Sequence, residues 1–209
     1  GEAPTIDIKG TVTGEIKGMV AECGGKGYPT LAAALTEAAN GSDKTVTLVA
    51  DTELNGSLTS GITLVVPNGK TLEIQANQLT NLAGGGTLEV QDGGVLKIPN
   101  SNGALEAFIG GTDARLNLTQ GSVTLKVDNG QLNVTLTNGS VANIPAEKEL
   151  VLSKLSVGGA SIPMYTTIDN GASLTVNKKL TVANGCELVV NGTLDVANGG
   201  IVRVGSEAK

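Results

Sequence analysis

Few residue types in this chain could support catalysis. The 209 residues include no His and no Trp, two Cys and 14 Lys and Arg. Histidine is the commonest general base and the commonest metal ligand, so both roles lose their usual residue. The remaining candidates are a neighbouring acid and base, Asp113 and Arg115, and two carboxylates predicted to point outward, Glu73 and Glu89. We interpret Asp113 and Arg115 as a solvated pair on a loop, and we assign no catalytic, cofactor-binding or metal-binding residue.

The two thiols are not expected to do chemistry either. Cys23 and Cys186 are too few for a disulfide framework, and neither belongs to a CxxC motif that would suggest zinc. Cys186 aligns with Ala172 and Gly200 in neighbouring repeats, at a position that holds small residues. This alignment predicts a buried free thiol that packs as a small hydrophobic group.

Composition excludes several partner classes. The only aromatic residues are Tyr28, Phe108 and Tyr165, which leaves little for stacking on bases or sugars. The net charge of -6 argues against nucleic acid and against anionic membranes as partners. No run of 18 apolar residues is present, so we predict no membrane span. Because the composition is typical of bacterial surface and secreted solenoids, we expect secretion or display at the cell surface, with a signal peptide removed ahead of Gly1.

A short unit recurs along the chain, and it must fold before any site can form. Its pattern is an aliphatic residue, one variable residue, Asn-Gly or Asp-Gly, and then an alternating aliphatic segment. The copies lie at 66–74, 90–98, 136–144, 168–176, 182–190 and 196–204. Alternation predicts a short strand with one buried face, and Asn-Gly predicts a turn before it. The last three copies follow one another at a spacing of 14 residues.

Two architectures can use this pattern. In a parallel β-solenoid the short strands stack coil on coil, and repeat positions such as Leu174, Leu188 and Val202 come into contact. In an antiparallel sandwich, Asn191-Gly192 would close a hairpin between two apolar runs. A fixed repeat period favours the solenoid. Because a three-sided coil needs about 18 to 25 residues, the 14-residue repeat is interpreted as two-thirds of a coil.

One segment has helical periodicity instead. In residues 28–41, Leu31, Leu35 and Ala38 fall on one helical face, Thr30 is the predicted N-cap, and Asn40-Gly41 is the predicted end. A helix this short must pack its apolar face on something. We predict that it covers the apolar end of the first coil.

The region around this helix resembles a known family. Met-Val-Ala-Glu at 19–22, Gly-Tyr-Pro-Thr-Leu at 27–31, the alanine-rich segment that follows, and Val-Thr-Leu at 46–48 are similar to an N-terminal signature of the pectin-lyase-like right-handed β-helix superfamily. The version in this chain looks most like those of non-catalytic bacterial surface proteins. The resemblance implies an all-β right-handed parallel β-helix with a short N-terminal capping α-helix.

The implied organisation is a single domain. It is divided as follows: 1–209 as one β-helix domain, 1–27 as N-terminal strands, 28–41 as the capping helix and 45–204 as repeat coils.

The residues depart from the enzymes of that superfamily. Galacturonases of this superfamily use a Gly-His-Gly motif, which a chain without His cannot contain. Pectate lyases require an arginine near a cluster of carboxylates, and neither Arg115 nor Arg203 lies near such a cluster in the sequence. We therefore predict a non-enzymatic protein without cofactors, acting as an adhesin, stalk or envelope component. Its expected partner is a cell-surface glycan or protein. The alternative is a polysaccharide-binding or polysaccharide-active β-helix that uses Glu73 and Glu89.

Overall fold

The computed structural model describes residues 5–7, 9 and 17–209, and these are mostly β-structure. The predicted N-terminal strands at 1–27 lie partly outside the described residues. The strands are β1 (Ile6–Asp7), β2 (Ala21–Cys23), β3 (Lys26–Tyr28), β4 (Thr45–Leu48), β5 (Thr52–Glu53), β6 (Thr63–Val66), β7 (Thr71–Glu73), β8 (Thr87–Gln91), β9 (Val95–Pro99), β10 (Leu105–Ile109), β11 (Asn117–Gln120), β12 (Ser122–Asp128), β13 (Gln131–Leu136), β14 (Val141–Ile144), β15 (Glu149–Leu152), β16 (Leu155–Val157), β17 (Ala160–Ile162), β18 (Met164–Ile168), β19 (Ser173–Val176), β20 (Lys179–Val182), β21 (Glu187–Val190), β22 (Thr193–Val196) and β23 (Ile201–Val204).

The predicted helix is present as α1, Leu31–Asn40. The hydroxyl of Thr30 accepts a hydrogen bond from the Ala33 amide at 3.2 Å, which confirms the predicted N-cap. Leu31, Ala34, Leu35 and Ala38 are buried, and the helix packs on β2, β3 and β4. This position is at the N-terminal end of the hydrophobic core. A 3-10 helix, Ala76–Gly84, was not expected from the sequence.

The C-terminal half is built from three parallel ladders. One joins β13, β18 and β21, another joins β14, β19 and β22, and the third joins β15, β20 and β23. The chain visits the three sheets in the same order on each pass. In the last pass Leu174 is paired with Leu194, and Leu180 is paired with Val202.

The first part of the chain is also parallel, but it is interrupted. β4, β6 and β8 form one parallel series, and β5, β7 and β9 form another. β10 then turns back on β9, and β12 pairs antiparallel with both β8 and β13. The parallel stacking therefore stops between β9 and β13 and resumes afterwards.

Asn-Gly dipeptides make two different turns. At the six repeat units the residue after the glycine donates its amide to the carbonyl three residues earlier, for example Ala172 to Asp169 at 2.9 Å, and the glycines have φ between 74° and 85°. In these turns the Asn or Asp keeps a negative φ. Asn129-Gly130 instead has φ of 51° and 75° and closes the two-residue hairpin between β12 and β13.

The 14-residue repeat does not stack on itself. Leu174, Leu188 and Val202 lie on β19, β21 and β23, which belong to three different sheets. The expectation that these equivalent positions stack on one another as ladder partners is therefore wrong. In the C-terminal ladders a strand pairs with a strand that lies 20 or 22 residues later, which is about one and a half repeats. The Asn191-Gly192 hairpin of the sandwich alternative is also wrong, because β21 and β22 lie in separate sheets.

One hydrophobic cluster runs through the whole assembly, from Ala21 beneath α1 to Cys186 near the C-terminal end. It is filled almost entirely by Leu, Val, Ile and Ala, and Phe108 is one of its few rings. Among the described residues, no helix is long and apolar enough to cross a bilayer.

Candidate functional site

One concave site is a groove where β9 and β10 meet β15. We name it the Arg115 groove, and it encloses about 260 Å³. Its lining comprises Ile98, Pro99, Asn100, Ser101, Glu106, Phe108, Arg115, Glu149, Leu150, Val151, Ser153, Leu155 and Met164. An apolar floor with a polar rim is the usual composition of a small-ligand site, although most such sites are larger, at about 300 to 1,000 Å³.

A tight loop places Arg115 in this groove. Gly110 and Gly111 have φ of 69° and 79°, which favours glycine, and a Cβ on Gly110 would clash with the Gly94 carbonyl oxygen. The chain then returns beside β10, where the Arg115 amide donates to the Ala107 carbonyl at 3.1 Å. The backbone therefore fixes where the Arg115 side chain leaves the loop, and its guanidinium also donates to the Glu149 carbonyl at 3.5 Å.

Arg115 pairs with a carboxylate that the sequence did not indicate. Its Nη2 lies 3.0 Å from Oε2 of Glu106, and both side chains are about one-third exposed. Asp113, the expected partner, instead accepts from Nζ of Lys148 at 3.0 Å. The prediction of an Asp113–Arg115 pair is wrong because the loop turns at Asp113, which has φ of 64°, and the two side chains reach different neighbours.

Glu149, at the edge of the groove, connects it to a second charged pair on the neighbouring strand β20. Oε1 of Glu149 lies 2.7 Å from Nζ of Lys179 and accepts from the Thr181 hydroxyl at 2.9 Å. The hydrogen bond from Lys179, then that from Thr181, hold the pKa of Glu149 below its ordinary value. Glu149 is therefore an ionised anchor between β15 and β20.

Glu73 and Glu89 do not meet. Glu73 is on β7 and pairs with Nζ of Lys97 on β9 at 2.7 Å, whereas Glu89 is on β8 in another sheet and accepts from Gln91 at 3.2 Å. Each carboxylate is thus held by a neighbour on its own face. The sequence does not show this separation, because alternation identifies the inward and outward positions of a strand but not the sheet to which the strand belongs.

Both cysteines are buried, as predicted for Cys186. Burial, and then the neighbouring Asp43 carboxylate, raise the pKa of Cys23 to about 11. A thiol with such a pKa is almost fully protonated at neutral pH and is a poor nucleophile.

The described residues contain no cluster of three or more Cys, Asp or Glu side chains placed to hold a metal ion. What the Arg115 groove can do is bind: its guanidinium and the side chains of Asn100 and Ser101 offer donors above an apolar floor. Glu106 already neutralises the arginine, and Asn100 also donates to that carboxylate at 3.4 Å.

Comparison with known proteins gives no relative that could assign a ligand to the groove. No family model, curated protein or solved structure matches this chain.

Proposed function

We propose that this protein is a non-catalytic right-handed parallel β-helix of the pectin-lyase-like type, secreted or displayed at the cell surface as an adhesin, stalk or envelope component. The observation that carries the proposal is the cyclic visit to three parallel ladders in the C-terminal half. Parallel crossovers are right-handed in about 98% of cases, which supports the handedness.

The interior supports a scaffold role. Inward positions such as Leu174, Val176, Leu180 and Val182 are buried aliphatics stacked directly on their ladder neighbours. Each coil then contacts only the coils beside it, so the structure extends by repetition rather than by enclosing a central site. A stack of this kind suits display or spacing.

Removing one coil tests the architecture. Deletion of residues 179–200 joins Lys178 to Ile201. In the shortened chain β23 follows β19 directly and takes the position of β20 in its ladder, one coil earlier. We expect the shortened protein to unfold cooperatively, with about the same urea midpoint. The control deletion of half a coil, 179–189, is expected to lose cooperative unfolding. Loss of folding in both variants would contradict the β-helix.

A polysaccharide panel tests the absence of turnover. The protein is incubated with acidic and neutral polysaccharides, with and without calcium, and new reducing ends or unsaturated products are measured. We expect none. Product formation that is abolished in Glu106→Gln would show an enzyme. Antibody labelling of intact producing cells tests the location, and labelling only after lysis would contradict surface display.

The Arg115 groove favours one second candidate, a glycan-binding β-helix. Its donors and its apolar floor could seat a single sugar unit of an acidic chain. Glycan-array binding that falls at least tenfold in Arg115→Ala but not in Arg203→Ala would establish it. Silence of the wild-type protein on all glycans would remove it.

A further inference from the structure

The Arg115 groove runs along the edge of a strand in the middle of the chain. β15 is the first strand of its sheet and pairs with β20 along one edge only. The segments before and after β15 are both described, so this edge is internal to the described chain. Four residues from β15 and its end line the groove: Glu149, Leu150, Val151 and Ser153.

Two contacts show which way the backbone of β15 faces. The Leu152 carbonyl accepts from the Ala183 amide at 2.9 Å, so Leu152 bonds toward β20. The Glu149 carbonyl accepts from Nη1 of Arg115 at 3.5 Å, so Glu149 faces the groove. Backbone groups of successive strand residues point to opposite edges, so the amide and the carbonyl of Val151 also face the groove. Neither group bonds to another described residue, and Val151 is 43% exposed.

No described strand lies beside this edge of β15. After β9 the chain reverses, with the Asn100 amide donating to the Ala104 carbonyl at 2.8 Å, and β10 pairs back on β9. β16 and β17 pair only with each other and pack on the 3-10 helix. The first edge of the third ladder therefore remains open to a further strand.

We propose that the Arg115 groove binds an extended peptide segment of a partner protein, which adds to β15 as a further strand. The unpaired amide and carbonyl of Val151 match the acceptor and the donor that an extended chain presents when it runs alongside a strand edge. The proposal depends on the β15 edge and not on the secreted or adhesive role proposed above.

The lining of the groove specifies the peptide. Its apolar floor consists of residues that are each 2–7% exposed: Ile98, Phe108, Leu150, Leu155 and Met164. A strand added to β15 directs alternate side chains toward this floor, so the peptide carries two apolar residues separated by one. Because little of the floor is still exposed, most of the affinity comes from backbone hydrogen bonds, and we expect a dissociation constant of about 100 μM.

The charged rim requires no net charge on the peptide. Arg115 pairs with Glu106 at 3.0 Å, and Glu149 pairs with Lys179 at 2.7 Å. A charged peptide side chain would compete with a partner that is already in place. An uncharged alternating segment therefore fits the groove better than an acidic or a basic one.

The test begins with a random heptapeptide library displayed on phage and selected on the wild-type protein. Selected peptides are synthesised and titrated against the wild type, Val151→Pro and Val151→Ala. Proline removes the amide that faces the groove without removing a bond to β20, so it should weaken binding at least tenfold. Alanine keeps the amide and is the matched control, and its loss should be at least fivefold smaller.

Hydrogen exchange tests the contact directly. In the free protein the Val151 amide should exchange at least tenfold faster than the Leu152 amide, which faces β20. Saturating peptide should slow the exchange of Val151 at least tenfold. This measurement needs only the wild type, so it decides the question even where Val151→Pro does not fold.

A glycan in the same groove would behave differently. Arg115→Ala frees the Glu149 carbonyl and should tighten peptide binding about threefold, because one more hydrogen bond becomes available. The same change should weaken an acidic glycan at least tenfold. Glycan-array binding without any selected peptide, or a tenfold loss of peptide binding in Arg115→Ala, would overturn strand addition.

The remaining outcomes separate this site from the proposed function. Equal binding by the two Val151 variants, or a Val151 amide that still exchanges fast with peptide bound, would also overturn the site. Protection of Val151 in the concentrated protein alone would identify a second copy as the occupant and overturn the peptide partner. Polysaccharide turnover by a protein that binds these peptides would overturn the proposed function and leave the site standing.

Discussion

The two ends of this molecule are built from the same short aliphatic strands but finish differently. At the N-terminal end, α1 places Leu31, Ala34, Leu35 and Ala38 against β2–β4. In the last three strands, the inward Val190, Val196 and Val204 are exposed instead. The difference arises because only residues 31–40 combine helical spacing of apolar residues with an N-cap.

Truncating the core at each end should have unequal effects. Leu31→Ala removes a fully buried side chain and is expected to lower the free energy of unfolding by about 2 to 5 kcal/mol. Leu194→Ala, on β22, should cost less than about 1.5 kcal/mol, because its side chain is only partly buried. Urea denaturation measures both free energies, and equal losses would contradict the difference in burial.

The two thiols report how each end opens. Cys23 and Cys186 are each 1% exposed, one beside α1 and one on the last coil. Because the last three strands are more exposed than the strands beside α1, they should open locally at a lower free energy. We therefore expect Cys186 to react with a thiol reagent at least tenfold faster, about 1.4 kcal/mol. The single-thiol variants Cys23→Ala and Cys186→Ala give the separate rates. The raised pKa of Cys23 acts in the same direction, so the ratio is compared at several pH values. Faster reaction of Cys23 would reverse the assignment of the ends.

The N-cap of the covering helix can be tested directly. Thr30→Ala removes the acceptor for the Ala33 amide and should cost about 1 kcal/mol in unfolding free energy. Thr36→Ala is the matched control, because the Thr36 hydroxyl bonds only to the Ala32 carbonyl within the helix. Thermal unfolding of both variants measures the difference, and a larger loss in Thr36→Ala would contradict the capping role.

The smallest effect is expected at Glu149, which ties β15 to β20. Its folded pKa lies below the ordinary value of 4.5, so its contribution is present at neutral pH and is lost as the pH falls through the folded pKa. Because the side chain is 37% exposed, the contribution should be below about 1 kcal/mol. Wild type and Glu149→Gln should therefore differ in stability at pH 7 and converge in acid. Lys179→Met should show the same convergence, and a difference that grows in acid would contradict the assignment.

The sequence predicted local structure well and spatial neighbours poorly. Thr30 and the spacing after it were sufficient for α1, and Asn-Gly or Asp-Gly marked the positions of the repeat turns, because both signals act within a few residues. The pairing of Glu106 with Arg115 depends on how a loop returns beside β10. No local pattern encodes that return.

The same limit explains the mistaken stacking of Leu174 on Leu188. Inward and outward positions follow from alternation, but the sheet that a strand joins depends on how many strands make one coil. The hairpin at Asn129-Gly130 shows the limit again, since the same dipeptide at Asn170-Gly171 makes a turn between strands of different sheets. The two turns differ in the sign of φ at the Asn, which is positive at Asn129 and negative at Asn170. The surrounding strands determine that sign.

Each 14-residue repeat contains two strands, whereas the chain passes through three sheets before it returns to the first. This mismatch has a consequence for how such a chain can grow. From β19 onward the strands begin alternately six and eight residues apart, at 173, 179, 187, 193 and 201. Three successive spacings make one passage through the three sheets, so a shorter passage alternates with a longer one. A strand of the same kind therefore returns to the same sheet only after two passages. Because one 14-residue unit contributes two strands, duplicating it places the following strand two sheets further along the order of the sheets. Confining a new side chain to one sheet thus requires duplication of three units together, whereas duplication of single units distributes its copies over all three sheets.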